Sequence, residues 1–291
     1  MPFRVIARLD IKGPNLVKGI HLEGLRVLGS PESFAKAYYE DGIDELFYMD
    51  TVASLLGRNS LLDIVERTAR DVFVPLCVGG GIRSREDIRK VLRAGADKVA
   101  INTAAIGRPD FVREAAEEFG SSTIVVAIEA IRQPDGAYFC FTNCGRERTG
   151  VEAVTWAKQV QALGAGEIVI TSVDKEGTGR GFDSTLVHSV AKAVSIPVIA
   201  HGGAGSSQHV VDVVKTGKCD AVAIASMLHY RAIKSVAVDL DAFPDEGNVE
   251  FLRHHRMNGF KLVQDCTVTE LKRGLSNAGI DARVQEVRHH G

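Results

Sequence analysis

The sequence lacks the features that mark membrane, secreted and nucleic-acid-binding proteins. No apolar run approaches the ~18 residues of a membrane span, and the first residues, Met-Pro-Phe-Arg, lead into a strand-like run rather than a signal peptide. The 35 Lys and Arg are balanced by 37 Asp and Glu, which gives a net charge of −2. The excess positive charge that attracts nucleic acid or an anionic membrane is therefore missing. We expect a cytoplasmic protein that binds neither.

Cysteine is also scarce, because the chain has five, an odd number, and only Cys140 and Cys144 lie close together. Neither has a further Cys or His at zinc-ligand spacing, and no cofactor motif is visible. A chain of 291 residues can bury a large core without disulfides or a structural metal. We expect reduced thiols, no metal and no cofactor.

What the sequence does contain is a regular alternation of strand-like and helix-like segments. Runs of aliphatic and β-branched residues are bounded by Gly, Pro and Asp, and amphipathic segments of helical period lie between them. Eight such units in ~230 residues favour a closed (β/α)8 TIM barrel over an open parallel sheet. We expect one α/β barrel domain over residues 1–291. The predicted strands are Arg4–Asp10, Glu45–Asp50, Val74–Gly79, Lys98–Asn102, Thr123–Glu129, Glu167–Ser172, Ile196–His201 and Ala221–Ser226.

The two halves of the chain repeat one pattern. The run Pro75–Gly81, followed by a helix and Val99–Thr103, returns as Pro197–Gly203, a helix and Val222–Ser226. Such self-similarity indicates two half-barrels, each with its own ligand-binding element.

Each repeat places a glycine cluster between a strand and a serine that can cap the next helix. Glycines allow backbone N–H groups to approach an anion, and a helix N-terminus adds partial positive charge. Thr103 and Ser226 add hydroxyl donors after the following strands. A tight turn alone would explain one cluster, but two in register predict a substrate with a phosphate at each end.

Five stretches resemble the cyclase subunit of imidazole glycerol phosphate synthase, a family of histidine biosynthesis. They are Val78–Ile82, Ile101–Ala105, Gly164–Glu167, Thr171–Thr178 and Gly202–Gly205, within a similarity that covers residues 3–231 and 267–284. The resemblance implies a barrel that forms a heterodimer with a glutaminase subunit and takes ammonia from it. The implied reaction converts a bis-phosphorylated ribulosyl-formimino-aminoimidazole carboxamide ribotide into imidazole glycerol phosphate and AICAR, the aminoimidazole carboxamide ribotide.

The resemblance also implies roles for individual residues. Asp10 and Glu129 match the two catalytic carboxylates, one giving and one accepting a proton across the barrel mouth. Lys18 matches a lysine that closes over the substrate. The other positions implied to bind substrate are Asp50, Gly80, Gly81, Asn102, Thr103, Thr171, Asp174, Glu176, Gly177, His201, Gly202, Gly203 and Ser226.

At the opposite end of the barrel, the family's charged ring maps onto Arg4, Glu45, Lys98 and Glu167. Two acids and two cations can pair across the barrel axis and gate the entry of ammonia, although a purely stabilising set of salt bridges has the same composition. Asp97 matches a position that faces the glutaminase.

Four positions at the mouth differ from the family pattern. Glu129 and Glu176 stand where the family has Asp, His201 where it has Ser, and Arg8 where Cys is common. The added methylene of Glu moves a carboxyl by ~1.5 Å, and a displacement of that order can cost about 10²-fold in a tuned site.

Two other functions stay open beside cyclisation. A paralogue that delivers ammonia to a sugar in surface-polysaccharide biosynthesis would combine an altered mouth with an unaltered ring. A sugar-phosphate isomerase would use Asp10 and Glu129 for an Amadori-type rearrangement, but the matches at the ring and over Asp174–Thr178 argue against it. We favour the cyclase.

Residues 234–266 interrupt the resemblance before the last helix. The acidic stretch Asp239–Gly247 is followed by a basic, helix-like segment, Glu250–Arg256. We expect an insertion here, either a lid or interface element beside the mouth or a surface decoration.

Overall fold

A computed structural model of the protein describes residues 2–51, 61–236 and 262–284. Eight of its strands run parallel and close into a barrel, so the predicted fold is confirmed. In chain order the strands are β1 (Arg4–Lys12), β2 (Asn15–Ile20), β3 (Glu23–Gly29), β4 (Glu45–Asp50), β5 (Leu76–Gly79), β6 (Lys98–Ile101), β7 (Ile124–Arg132), β8 (Tyr138–Thr142), β9 (Glu147–Glu152), β10 (Glu167–Ser172), β11 (Val198–His201) and β12 (Ala221–Ile224).

The barrel consists of β1, β4, β5, β6, β7, β10, β11 and β12, in that order around its axis. The pairing of β12 with β1 completes the circle, with Arg4 opposite Ala221. Each strand overlaps one of the eight runs predicted from the sequence.

Helices cover the outside of the barrel, as the alternating pattern predicts. In chain order they are α1 (Pro31–Glu40), α2 (Leu62–Asp71), α3 (Arg85–Arg93), α4 (Thr103–Gly107), α5 (Asp110–Phe119), α6 (Ala153–Ala162), α7 (Ser184–Ala193), α8 (Ser207–Asp212), α9 (Ser226–Ala232) and α10 (Val268–Asn277).

Side chains at the helix starts satisfy the free backbone N–H groups there. Ser84 accepts from the N–H of Asp87, whose carboxylate accepts from Ser84 in return, and Ser206 caps α8 through the N–H of His209. Both serines are the capping residues expected from the repeat.

The alternation of side chains along β1 divides the core in two. Its odd-numbered residues, such as Val5 and Leu9, pack outward against the helices, whereas Ile6 joins an inner cluster inside the barrel. That inner cluster is small and apolar, and it separates the bottom of the barrel from its mouth. Its buried members are Ile6, Phe47, Cys77, Ala100, Val125, Val169, Ile199, Ala221 and Ala223.

Two antiparallel hairpins extend the barrel at its mouth, and the sequence analysis missed both. The first, β2–β3, pairs with β1, and the second, β8–β9, pairs with β7. The second hairpin leads directly into α6. Its last residue, Glu152, caps that helix by accepting from the N–H groups of Val154 and Thr155.

The last helix, α10, is tied to the first. Asp41, at the end of α1, accepts from the N–H groups of Val268 and Thr269. Lys272 is buried and donates to Gly42 O at 2.7 Å and to Asp44 Oδ1 at 2.5 Å. Of the predicted insertion at 234–266, residues 237–261 lie outside the described part of the chain, so its role stays a prediction.

Candidate active site

A cavity of about 280 Å³ opens at the carboxyl ends of the barrel strands, where TIM-barrel enzymes place their chemistry. Eight of the predicted site residues line it together with Arg8, Leu22 and Cys144. The predicted residues in the wall are Asp10, Asp50, Gly80, Gly81, Asn102, Thr103, Glu129 and Glu176.

The two predicted catalytic carboxylates lie in different surroundings. Asp10, on β1, pairs with the guanidinium of Arg8, whose Nε donates to Oδ1 at 2.9 Å. Glu129, on β7, accepts from neutral donors, the N–H of Gly145 at 2.9 Å and the side-chain amide of Asn102. Burial raises the pKa of Glu129 to about 7, against the smaller opposing effects of Arg8 and the Gly145 N–H. At neutral pH one carboxyl is therefore ion-paired and the other half protonated.

Arg8 also reaches across the barrel to the second half of the site. Its Nη1 lies 3.1 Å from Nδ1 of His201, and the Thr171 hydroxyl lies 3.1 Å from the same nitrogen. Because a guanidinium only donates, His201 Nδ1 accepts and the ring carries its proton on Nε2. Burial lowers the pKa of His201 well below its ordinary value, and the charges of Arg8 and Lys18 lower it further, so the ring is neutral.

The β2–β3 hairpin lies over the loop that follows β10. Lys18 Nζ donates to Glu176 Oε1 at 2.6 Å, and the N–H of Leu22 donates to Oε2 of the same carboxylate at 2.8 Å. The N–H of His21 donates to the Glu176 carbonyl at 3.1 Å. Lys18 and Glu176, predicted as separate substrate contacts, are thus brought together as a buried ion pair.

The first glycine cluster packs against the end of β4. Gly80 has a φ of +97°, and a side chain there would collide with the backbone of Asp50. Gly81 also has a positive φ, and both glycines face the cavity. Thr103, at the start of α4, lies beside them in the wall.

The second glycine cluster lies outside the cavity wall and packs against the loop after β10. The N–H of Gly181 donates to Gly203 O at 2.8 Å, and a side chain at Gly203 would collide with the Gly181 backbone. A side chain at Gly202 would meet Ser172 O at 2.7 Å. Ser226 begins α9, as Thr103 begins α4, so the sequence repeat recurs in the structure.

Three predicted contacts have other surroundings. Gly177 lies beneath the hairpin, where a side chain would meet Gly19 O at 2.7 Å and Lys18 Nζ at 3.3 Å. Asp174 is exposed, accepts from the N–H of Arg132 at 2.8 Å and lies outside the cavity wall. At the other end of the barrel, Asp97 accepts from the N–H of Leu76 at 2.8 Å, which gives it a local structural partner.

The charged ring forms at the amino ends of the strands as predicted. Arg4 bonds both Glu45 and Glu167, and Lys98 Nζ lies 3.1 Å from Glu45 and 3.0 Å from Glu167. Burial raises the pKa of Glu45, although Lys98 and Arg4 oppose it. Burial lowers the pKa of Lys98, but Glu45 and Glu167 more than reverse this and raise it overall. Each charge therefore has two partners of opposite sign.

The sequence analysis missed the backbone contributions to the site. Gly145 follows Asn143 and Cys144 in a turn of three residues with positive φ, which presents the Gly145 N–H to Glu129. Gly in the run Asn-Cys-Gly was the available turn signal. The contact of Leu22 with Glu176 had no such signal, because a bulky residue such as Leu22 rarely adopts a left-handed backbone.

Comparison with known proteins decides the family. A family model described as "Histidine biosynthesis protein" matches residues 4–234. The chain belongs to this family. It is also 58% identical over 202 residues to a protein of Legionella pneumophila named imidazole glycerol phosphate synthase subunit HisF, a match that spans 69% of this chain and 95% of the relative.

Membership of the histidine biosynthesis family fits the barrel, the cavity at its mouth and the paired glycine loops. In the part of the chain that the structure describes, the five cysteines form no disulfide. In the described ranges, each helix is too short or too polar to cross a membrane.

Proposed function

We propose that this protein is the cyclase of imidazole glycerol phosphate synthase. Ammonia attacks the ribulosyl carbonyl of the bis-phosphorylated substrate, and the carbonyl oxygen leaves as water. Proton transfers, elimination of AICAR and ring closure then give imidazole glycerol phosphate. The observation that carries the proposal is the pair of carboxyls facing one cavity in opposite surroundings, Asp10 beside a cation and Glu129 beside neutral donors. The similarity to the relative named HisF supports the same reaction.

The proton-transfer roles follow from these surroundings. Asp10 forms an ion pair with Arg8 and is suited to accept a proton. Glu129, whose pKa is raised by burial to about 7, is suited to donate one near neutral pH. An acid and a base across one mouth meet the needs of the addition and elimination steps.

The proposal includes a glutaminase subunit at the bottom of the barrel and a cytoplasmic location. The ring of Arg4, Glu45, Lys98 and Glu167 surrounds the axis at that end, and the apolar side chains of the inner cluster lie between it and the cavity. An uncharged molecule such as ammonia crosses an apolar interior at lower cost than an ammonium ion. Free thiols are consistent with a reducing compartment.

Turnover with ammonia alone tests the reaction without the partner. The purified protein is given an ammonium salt at alkaline pH and the bis-phosphorylated substrate, and substrate loss is followed by absorbance. Asp10→Asn is expected to lower the rate by about 10²- to 10⁴-fold. The matched control, Asp63→Asn, changes an exposed residue of α2 and is expected to leave the rate unchanged.

Absence of turnover in folded wild-type protein that binds a glutaminase would overturn the proposal. It would point instead to the paralogue that delivers ammonia to a sugar, which the altered residues at the mouth also fit.

A further inference from the structure

The cations and anions at the barrel mouth are unevenly matched. Arg8 Nε lies 2.9 Å from the Asp10 carboxylate, and Lys18 Nζ lies 2.6 Å from the Glu176 carboxylate. Glu129 is left to the N–H of Gly145 and the amide of Asn102. The difference between the two carboxyls of the site therefore originates in where Arg8 directs its guanidinium.

Arg8 is held in place on several sides. Only 2% of its surface is exposed, its guanidinium carbon lies 5.7 Å from the ring centre of Phe47, and Nε and Nη1 engage Asp10 and His201. A buried cation is costly unless it is paired and hydrogen-bonded. Lysine at this position could not contact both partners in the same way, because its single ammonium lacks the planar fork.

We propose that Arg8 is a positioning residue that assigns the proton-transfer roles at this site, holding Asp10 as the acceptor and His201 in its Nε2–H form while leaving Glu129 as the donor. The inference rests on the proposed function, because it concerns the two carboxyls of that reaction. Arg8 acts through its neighbours and not on the substrate.

Any effect of Arg8 on titration depends on every charged or titratable group around it. Arg8 lowers the pKa of Glu129, whereas burial and Asp10 raise it. Removal of the guanidinium is therefore expected to raise the pKa of Glu129 further and that of His201 toward its ordinary value. The titratable and charged groups that face this cluster are Asp10, Lys18, Glu129, Cys144, Glu176, His201 and His229.

The first test measures the carboxyl directly. Glu129 is titrated by ¹³C NMR in protein labelled at Glu carboxyls and assigned by the loss of its signal in Glu129→Gln. In Arg8→Gln we expect the midpoint to move up by about one pH unit, the effect typical of one nearby charge. In Arg8→Lys the titration midpoint of Glu129 is expected to stay close to the wild-type value. The control Arg93→Gln, on the exposed side of α3, is expected to leave the midpoint unchanged.

The second test determines which ring nitrogen of His201 carries the proton. In wild-type protein labelled with ¹⁵N-histidine, His201 is expected to show the neutral Nε2–H form with Nδ1 as acceptor at pH 6 to 8. In Arg8→Lys the ¹⁵N chemical shifts of His201 are expected to change, whereas the titration midpoint of Glu129 is largely kept. This result would separate the effect of the two-pronged guanidinium geometry from the effect of the positive charge. An Nδ1–H form in the wild type, or an unchanged Glu129 midpoint in folded Arg8→Gln, would overturn the proposal.

The third test connects the titration to the reaction. Rates corrected for the fraction of free ammonia are expected to fall on the alkaline side as Glu129 loses its proton, and this fall moves up by about one pH unit in Arg8→Gln. If the wild type turned over no substrate but the NMR midpoints moved as expected, the proposed function would fail and the role of Arg8 would stand.

Discussion

Glu129 faces opposite demands from stability and from chemistry. Its raised pKa means that the folded state holds the proton more tightly than the unfolded chain does. Stability is therefore highest below the ordinary pKa of the carboxyl, and it falls as pH rises from there toward about 7. A proton donor at neutral pH thus comes with a less stable fold, a common trade-off at active sites.

Glu129→Gln is expected to separate these two demands. The amide oxygen can still accept from the N–H of Gly145, but no charge has to be buried. Relative to the wild type, the free energy of unfolding of the variant should rise by about 2 kcal/mol between pH 5 and pH 8, while turnover falls by about 10²-fold or more.

Denaturant unfolding at the two pH values measures this difference. The exposed residue Glu117, on α5, provides the control Glu117→Gln, for which the difference should stay within about 0.5 kcal/mol. A variant of Glu129 that gained no relative stability at pH 8 would show that this carboxyl is not the buried acid described here.

At the scale of the element, the β2–β3 hairpin depends on Glu176. Its turn contains two non-glycine residues with positive φ, His21 at +53° and Leu22 at +63°, a conformation that costs free energy for most side chains. The carboxylate of Glu176 bonds both Lys18 and the N–H of Leu22, and these contacts offset that cost.

Glu176→Asp, which restores the residue type common in the family, is expected to loosen the hairpin. The shorter side chain cannot hold both contacts at their present positions, and loss of one buried charged hydrogen bond costs about 1.5–3 kcal/mol. Backbone amides of β2 should then exchange with deuterium at least about tenfold faster.

Hydrogen exchange followed by mass spectrometry measures this effect, with Glu23→Asp as the control. Glu23 lies on the same hairpin, but its ion pair with Arg146 is exposed and 3.4 Å long. Equal protection of β2 in Glu176→Asp and wild type would contradict the role given to Glu176.

The elements that were predicted from the sequence have clear local sequence patterns, whereas the two hairpins that were missed do not. Barrel strands such as β5 are apolar runs bounded by Pro and Gly, and cap residues such as Ser84 precede clear amphipathic helices. The hairpins had weaker local signals. The second had turn residues, such as the Gly of Asn-Cys-Gly, that the sequence analysis did not use. The first turns at His21 and Leu22, where tertiary contacts with Val173 and Glu176 support the backbone, so turn composition could not locate it.

In the site, too, some features could be predicted from the sequence and others could not. Position along a barrel strand was enough to place Asp10 and Glu129 at one mouth, because carboxyl ends of parallel strands meet there. It could not predict that Arg8 would turn toward His201, or that Lys18 and Glu176 would bond each other. Such pairings depend on distances between strands far apart in sequence.

At the scale of the whole molecule, we expect the charged ring to affect turnover only when the ammonia comes from the glutaminase partner. Glu167 contacts both Arg4 and Lys98, so Glu167→Gln weakens two pairs while leaving the mouth untouched. Glutamine-supported turnover should change by about tenfold or more, whereas ammonium-supported turnover stays within about twofold.

Parallel assays with glutamine plus glutaminase and with ammonium salt provide the comparison. Glu86→Gln, which removes an exposed pair with Arg89 on α3, serves as the control and should alter neither rate. An equal loss in both assays would make the ring a purely stabilising structure.

The pairing of β1 with β12 has a consequence for how the chain is made. The first barrel strand to leave the ribosome finds one neighbour, β4, early, but its other neighbour is among the last to be synthesised. Until then a growing chain exposes an open sheet edge, which invites pairing with other polypeptides. Nascent chains that stall before Ala221 should therefore depend on chaperones far more than the finished enzyme does.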